Sequence, residues 1–173
     1  MLTRLYKDDF DAVYKIMKES FPADEIRPYE AQKALFDKNG FFVYGVKSEG
    51  GELRAFITLW QLNGFTFGEH FAVDKKDRGS GLGGKIIRIA ARNTNGRFCF
   101  EVEPPETEIA KRRIGFYRRA GFVLNDYEYI QPPLGKGKRS IPLMIMSYKH
   151  GLSVQEFETV KEEIYKNVYG MKQ

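Results

Sequence analysis

The sequence predicts an α/β fold in which a mixed, largely antiparallel central sheet is flanked by helices, with one helix added at the C-terminal end. Three observations predict it. Leu53, Ala55, Ile57 and Leu59 alternate with Arg54, Phe56, Thr58 and Trp60, as in a strand covered on both faces, and Asn63-Gly64 is a strong hairpin signal leading into Phe65–Val73. After this meander the pattern changes to strand, glycine-rich turn, helix, strand and helix. Ser153-Val154-Gln155-Glu156 then forms a capping box that opens a last helix.

The elements follow in order. Leu2 to Tyr6 reads as a short edge strand, and Asp8 or Asp9 can cap a helix with Phe10, Val13, Ile16 and Met17 on one face. Phe21-Pro22 ends that helix. A polar connection, Ala23 to Pro28, precedes a second helix that starts at Pro28 or Tyr29 and stops at Asn39-Gly40. Phe41 to Lys47 is β-rich and turns at Ser48-Glu49-Gly50-Gly51. Past the glycine turn, Leu82, Ile86, Ile89 and Ala90 mark a helix that Asn95-Gly96 should end. Phe98 to Val102 is a strand closed by Pro104-Pro105, because proline cannot continue a ladder. Thr107 can cap a helix reaching Arg119. Gly121–Gln131 and Ile141–Tyr148 complete the strands, with a basic loop from Pro132 to Ser140 between them.

A length of 173 residues fits one domain over residues 1–173, with 152–170 as a helical extension. No apolar run approaches membrane-spanning length, and Met1 to Lys7 has no signal-peptide character. A single cysteine, Cys99, fits a reducing cytoplasm, and with two histidines beside it a metal site is not expected. The net charge of +5 favours an anionic ligand, but basic and acidic residues are interspersed, so nucleic acid is not an expected partner. Either a monomer or a homodimer is compatible with this composition.

Chemistry concentrates in the turn after Val73. Gly79-x-x-x-x-Gly84-Lys85 begins like a nucleotide P-loop, yet Ile86 stands where the magnesium-binding hydroxyl belongs. Gly79-x-Gly81-x-x-Gly84 also fits a dinucleotide fingerprint, with Glu101 at the distance of a ribose acid. Five polar residues separate Val73 from Gly79, however, and an antiparallel meander feeds the turn, so that pattern ranks low. The third pattern is Arg78-x-x-Gly81-x-Gly83 between a strand and a helix.

This third pattern resembles the acetyl-CoA pyrophosphate loop of the GCN5-related N-acetyltransferases, the GNAT superfamily. Arg113-Ile114-Gly115-Phe116-Tyr117-Arg118-Arg119-Ala120-Gly121-Phe122 resembles that family's helix ending in Phe-Tyr-x-x-x-Gly-Phe, and the two blocks cover roughly residues 41–148. One departure is Ala110, at the position where many members carry an asparagine that meets the pantetheine arm. The resemblance implies a GNAT-like fold and transfer of acetyl from acetyl-CoA to a small-molecule or peptide amine. It implies cofactor contact by the backbone of Phe71, Ala72 and Val73 and by Arg78, Gly79, Ser80, Gly81, Leu82, Gly83 and Gly84. Two readings compete with it: a CoA-binding regulatory module without turnover, and a dinucleotide-dependent oxidoreductase.

Three side chains are catalytic candidates. Counting by two puts Phe65, Phe67, Glu69, Phe71 and Val73 on one strand face, where aromatic neighbours should raise the Glu69 pKa into a base's range. Glu101, at the end of the next strand, is the alternative base. Tyr117 matches the family's general-acid tyrosine. His70 should lie on the face opposite Glu69 and be structural, and Cys99 should be a buried hydrophobe. Glu25, Arg27 and Tyr29, with Lys136, Lys138 and Arg139, are the candidate acceptor-side residues. The three basic ones suggest an anionic group on the acceptor.

Overall fold

A computed structural model describes residues 1–94 and 96–171. Seven strands form one open sheet: β1 (Thr3–Leu5), β2 (Phe41–Lys47), β3 (Leu53–Leu62), β4 (Phe65–Val73), β5 (Arg97–Val102), β6 (Phe122–Gln131) and β7 (Ile141–Tyr148), in spatial order β1-β2-β3-β4-β5-β7-β6. All neighbours are antiparallel except β4 and β5. The helices are α1 (Phe10–Ser20), α2 (Tyr29–Ala34), α3 (Leu82–Asn93), α4 (Glu108–Arg119) and α5 (Val154–Asn167). The expected stop of α3 at Asn95 falls on a residue outside the described set.

Two apolar layers sandwich the sheet. On one face Val13, Ile16 and Met17 of α1 and Phe157, Val160 and Ile164 of α5 bury Phe65, Phe67, Cys99 and Ile145. On the other, Ile86, Ile87 and Ala90 of α3 and Ile114 and Tyr117 of α4 bury Ile57, Phe98, Phe100 and Met146. Cys99 is thus the enclosed hydrophobe its flanking phenylalanines imply, its thiol pushed up to about 12 by burial. The predicted caps form: Thr107 accepts from Ala110 N at 3.1 Å, and Ser153 and Glu156 close a reciprocal capping box at the start of α5. Asp9 differs. Its carboxylate accepts from Tyr6 N and pairs with Lys47 instead of capping α1. The second helix also stops early, at Ala34, and continues as a single 3-10 turn, Leu35–Asp37.

The single parallel pair shapes the rest of the molecule. Phe65–Gly68 pair with Arg97–Phe100, and there the pairing ends. Beyond Gly68 and Phe100 the two strands diverge, opening the sheet between their C-terminal ends.

Candidate active site

The opening is a cleft of about 620 Å³. Gly68 to Val73 line one wall and Phe100 to Glu103 the other, with Phe21 and Glu25 at one side and Arg112, Arg113, Phe116 and Tyr117 of α4 at the other. A bulge shapes the first wall. Leu59 faces Gly68 and Ile57 faces Phe71, so Glu69 and His70 together oppose Thr58 alone. The simple count by two therefore fails after Glu69: Phe65 and Phe67 pack with α1 and α5, whereas Phe71 and Val73 pack with α3 on the other face.

The bulge decides the fate of Glu69. Its side chain, 2% exposed, pairs with the Arg27 guanidinium and accepts from Trp60 Nε1 at 2.8 Å. Burial opposes the charge, but Arg27, neighbouring His70 and the Trp60 N–H prevail and hold the carboxyl below its usual range. The expected rise in the Glu69 pKa is thus corrected: a cation on the polar connection supplies what the aromatic surroundings withhold. His70 also reaches that connection instead of pointing away. Its Nε2 lies 2.8 Å from the Glu25 carbonyl, its ring meets Phe21 edge-on, and burial holds its pKa down.

Glu101 has the opposite electrostatics. It sits on the α1/α5 face just past the last β4–β5 pair, and burial, with Glu69 nearby, raises its carboxyl to about 7. Hydrogen bonds from Tyr129 and Tyr169 limit that rise. Tyr117 approaches the cleft from the opposite sheet face, packed at a tilt of 50° against Phe100 with ring centroids 4.1 Å apart, and burial raises its phenol to about 12. The strand splay lets groups from the two faces border one cavity.

The glycine turn leads away from the cleft into α3. Gly79 and Gly81 have φ of +82° and +80°, and nothing lies within 4 Å of where a Cβ would stand on either. Gly83 is close-packed: a Cβ would meet Val73 Cγ2 at 3.4 Å and Phe71 Cζ at 3.5 Å. Ser80 Oγ donates to Asp77 O at 2.6 Å and accepts from Leu82 N at 3.4 Å. An open, left-handed turn ahead of a twelve-residue helix fits an anion, since the first helical N–H groups lack intrahelical partners. Arg78 is exposed beside it, donating to Val73 O at 3.1 Å and to Ser20 Oγ at 3.2 Å. Phe71, Ala72, Val73 and Arg78 line the cleft, and Gly79 to Gly84 extend from its rim.

The acceptor-side candidates divide. Glu25 lines the cleft, and burial together with Glu103 raises its carboxyl to about 7. Arg27 lies behind the wall, committed to Glu69 and to Val168 O at 3.0 Å. Tyr29 bonds to Asp11 on α1, away from the cleft lining. Lys138 and Arg139 pin their loop to the connection through Ala23 O and Asp24, and Lys136 is exposed; none of the three lines the cleft. Ala110 is buried, its backbone N–H taken by the Thr107 cap. Sequence reasoning missed Tyr129 and Tyr169, and no spacing could have found them: they lie 28 and 68 residues from the carboxylate they bond.

A seven-stranded, mostly antiparallel open sheet with flanking helices and one splayed parallel pair is the fold of the GNAT acetyltransferases. Residues 37–124 match the family model described as "Acetyltransferase (GNAT) domain", and the chain belongs to that family. It is 29% identical over 111 residues to a Bacillus subtilis protein named "Putative acetyltransferase YjbC", a match spanning 63% of this chain and 55% of that relative. Among solved structures, a "Putative acetyltransferase from GNAT family" of Bacteroides thetaiotaomicron superposes with a TM-score of 0.86 at 29% identity, covering 99% of both chains. A spermidine N-acetyltransferase chimera of Vibrio cholerae SpeG and hSSAT shares the fold at a TM-score of 0.65 and 15% identity, over 86% of this chain and 93% of that one.

Proposed function

We propose that this protein is an acetyl-CoA-dependent N-acetyltransferase that acts on a primary amine of a small molecule or peptide by direct attack in a ternary complex. One observation carries the reading. Arg78, at the start of a turn suited to phosphate, and Glu101, a carboxyl poised near neutrality, line the same cleft at the break in the sheet. The single buried cysteine fits a cytoplasmic setting.

Acetyl-CoA, when bound, would supply the acetyl thioester. Arg78 and the N–H groups of the 79–84 turn would hold its phosphates, and the β4 backbone from Phe71 to Val73 would meet its arm. Glu101 takes a proton from the arriving ammonium, a task for which a pKa of about 7 is suited. The freed amine would form the new C–N bond as the C–S bond breaks; Tyr117, still protonated at neutral pH, would give its proton to the departing sulfur, and the extra proton on the new amide nitrogen would return to the phenolate. Glu69 stays ionised against Arg27 and shapes the field instead of taking the proton. Glu25, Glu101 and Glu103 line the cleft together with Arg78, Arg112, Arg113 and Arg119, and Glu103 pairs with Arg113, so the lining carries both signs of charge. The basic loop contributes nothing to that lining, so we place no anionic group of the acceptor against it.

A panel of primary amines assayed with acetyl-CoA from about pH 5 to 9 tests this reading. Rates should fall on the acid side near pH 7, as Glu101 gains its proton. Glu101→Gln should abolish that limb and cost roughly 10²–10⁴-fold in turnover. Tight CoA binding with no transfer to any amine would instead indicate a regulatory CoA-binding module.

A further inference from the structure

The group that holds Glu101 comes from outside the matched domain. Tyr169 Oη donates to the Glu101 carboxylate, 2.6 Å from Oε1 and 2.8 Å from Oε2, while Tyr129 Oη bonds to Oε1. Tyr129 lies on β6 and Tyr169 just past α5, both beyond the 37–124 match.

The end of α5 is anchored as firmly as its start. Arg27 donates to Val168 O at 3.0 Å, and its guanidinium lies 5.9 Å from the centroid of the Tyr169 ring. Tyr169 N reaches Ile164 O at 3.2 Å, and Met171 N closes on Tyr165 O at 2.9 Å across Gly170, whose φ is +66°. Such a left-handed glycine lets the chain turn off the helix at that point. Val168 is buried, and Tyr165 Oη donates to Ile130 O at 2.6 Å, tying α5 to β6 beside Tyr129. The same Arg27 pairs with Glu69, so one cation braces both the β4 wall and the C-terminal segment.

We propose that Tyr169, together with Tyr129, is a positioning residue for Glu101, and that the C-terminal helix therefore forms part of the active site. This rests on the reading of Glu101 as the base. Two phenol donors fix the plane of a carboxyl group that would otherwise rotate, and leave its remaining lone pairs for the incoming ammonium. Burial raises both phenols, so they remain donors throughout the working range. They also favour the charged carboxylate, against burial and against Glu69, while Arg27 acts in the same sense as the phenols. From the cleft side, His70 on β4, Glu25 on the connection and the Glu103–Arg113 pair border the same cavity.

Carbon-13 NMR of protein labelled at the glutamate side-chain carboxyl carbon reads the contact without an acceptor. The resonance lost in Glu101→Gln identifies Glu101, which should titrate near 7 in the wild type. Tyr169→Phe and Tyr129→Phe keep the rings and remove the donors, and each should move the midpoint up by on the order of one pH unit. Tyr165→Phe, whose hydroxyl bonds Ile130 O, should leave it in place. A midpoint unmoved in both the Tyr169 and Tyr129 variants, with the fold intact by circular dichroism, overturns the proposal. So does an equal movement in Tyr165→Phe, since that would indicate general loosening. Turnover on the amine panel is measured separately. If Glu101→Gln retains the acid limb, the base assignment itself fails, whatever the NMR midpoints show.

Discussion

Removing Arg27 should be among the most damaging single changes in this protein, and the structure indicates how the damage depends on pH. The guanidinium side chain is 9% exposed and its partner Glu69 2% exposed, and Arg27 also satisfies Val168 O. Replacement by methionine preserves much of the volume but leaves a buried carboxylate with Trp60 Nε1 as its remaining side-chain donor. Breaking one partner of a buried pair costs about 3–5 kcal/mol. Against a total stability of roughly 5–15 kcal/mol that is a severe loss, and in a domain of this size it lowers Tm by roughly 6–20 °C. Urea unfolding of wild type, Arg27→Met, Glu69→Gln and the double variant measures it. The double variant should recover part of the loss, because an uncharged amide can still accept from Trp60.

The pH dependence separates this cause from lost packing. In the wild type Glu69 is held below its ordinary pKa, so its contribution is present above the unfolded value and is lost as pH falls through the folded one. In Arg27→Met burial acts without the cation, and the carboxyl rises above its unfolded value. Protonation then relieves the variant while it weakens the wild type. The stability gap should therefore narrow between neutral pH and about pH 4. A gap below about 1 kcal/mol at pH 7, or one that is constant with pH, would refute the account of Glu69 as a carboxylate kept ionised by Arg27.

Two other expectations concern the glycine turn and the tyrosine of the cleft. Gly81→Val places a branched side chain at φ +80° in the turn ahead of α3, and calorimetry should show CoA affinity reduced at least about tenfold while the sheet core remains folded. Tyr117→Phe keeps the ring packing on Phe100, so turnover of any accepted amine should fall about 10²–10⁴-fold with acetyl-CoA affinity nearly unchanged.

Local signals in the sequence carried the architecture because each has a local cause. Asn63-Gly64 marks the β3–β4 turn, where Gly64 has φ +78°, and Thr107 and Ser153 accept the helix N–H groups their positions imply. The two motif blocks located α3 and α4, and the alternation of Phe98 and Phe100 with Cys99 told the two faces of β5 apart. Periodicity alone could not reveal the bulge opposite Thr58. A strand inserts its extra residue where tertiary contacts reward it, and here the contacts are Arg27 for Glu69 and the Glu25 carbonyl for His70.

That bulge is also why two glutamates that look interchangeable in the sequence acquire different chemistry. Each lies one residue past the last β4–β5 pair, on the same sheet face, among aromatic side chains. The Arg27 guanidinium keeps the first below its ordinary range, whereas burial, with Glu69 nearby, raises the second to about 7 against the opposing pull of the Tyr129 and Tyr169 phenols. The groups that separate them come from the connection after α1 and from the segment after α5, the parts of the chain that lie outside the matched domain. The matched domain supplies the splay and the glycine turn. The flanking segments bring Arg27 to Glu69 and Tyr169 to Glu101, and a change confined to either should shift the titration of its carboxyl while leaving the glycine turn untouched.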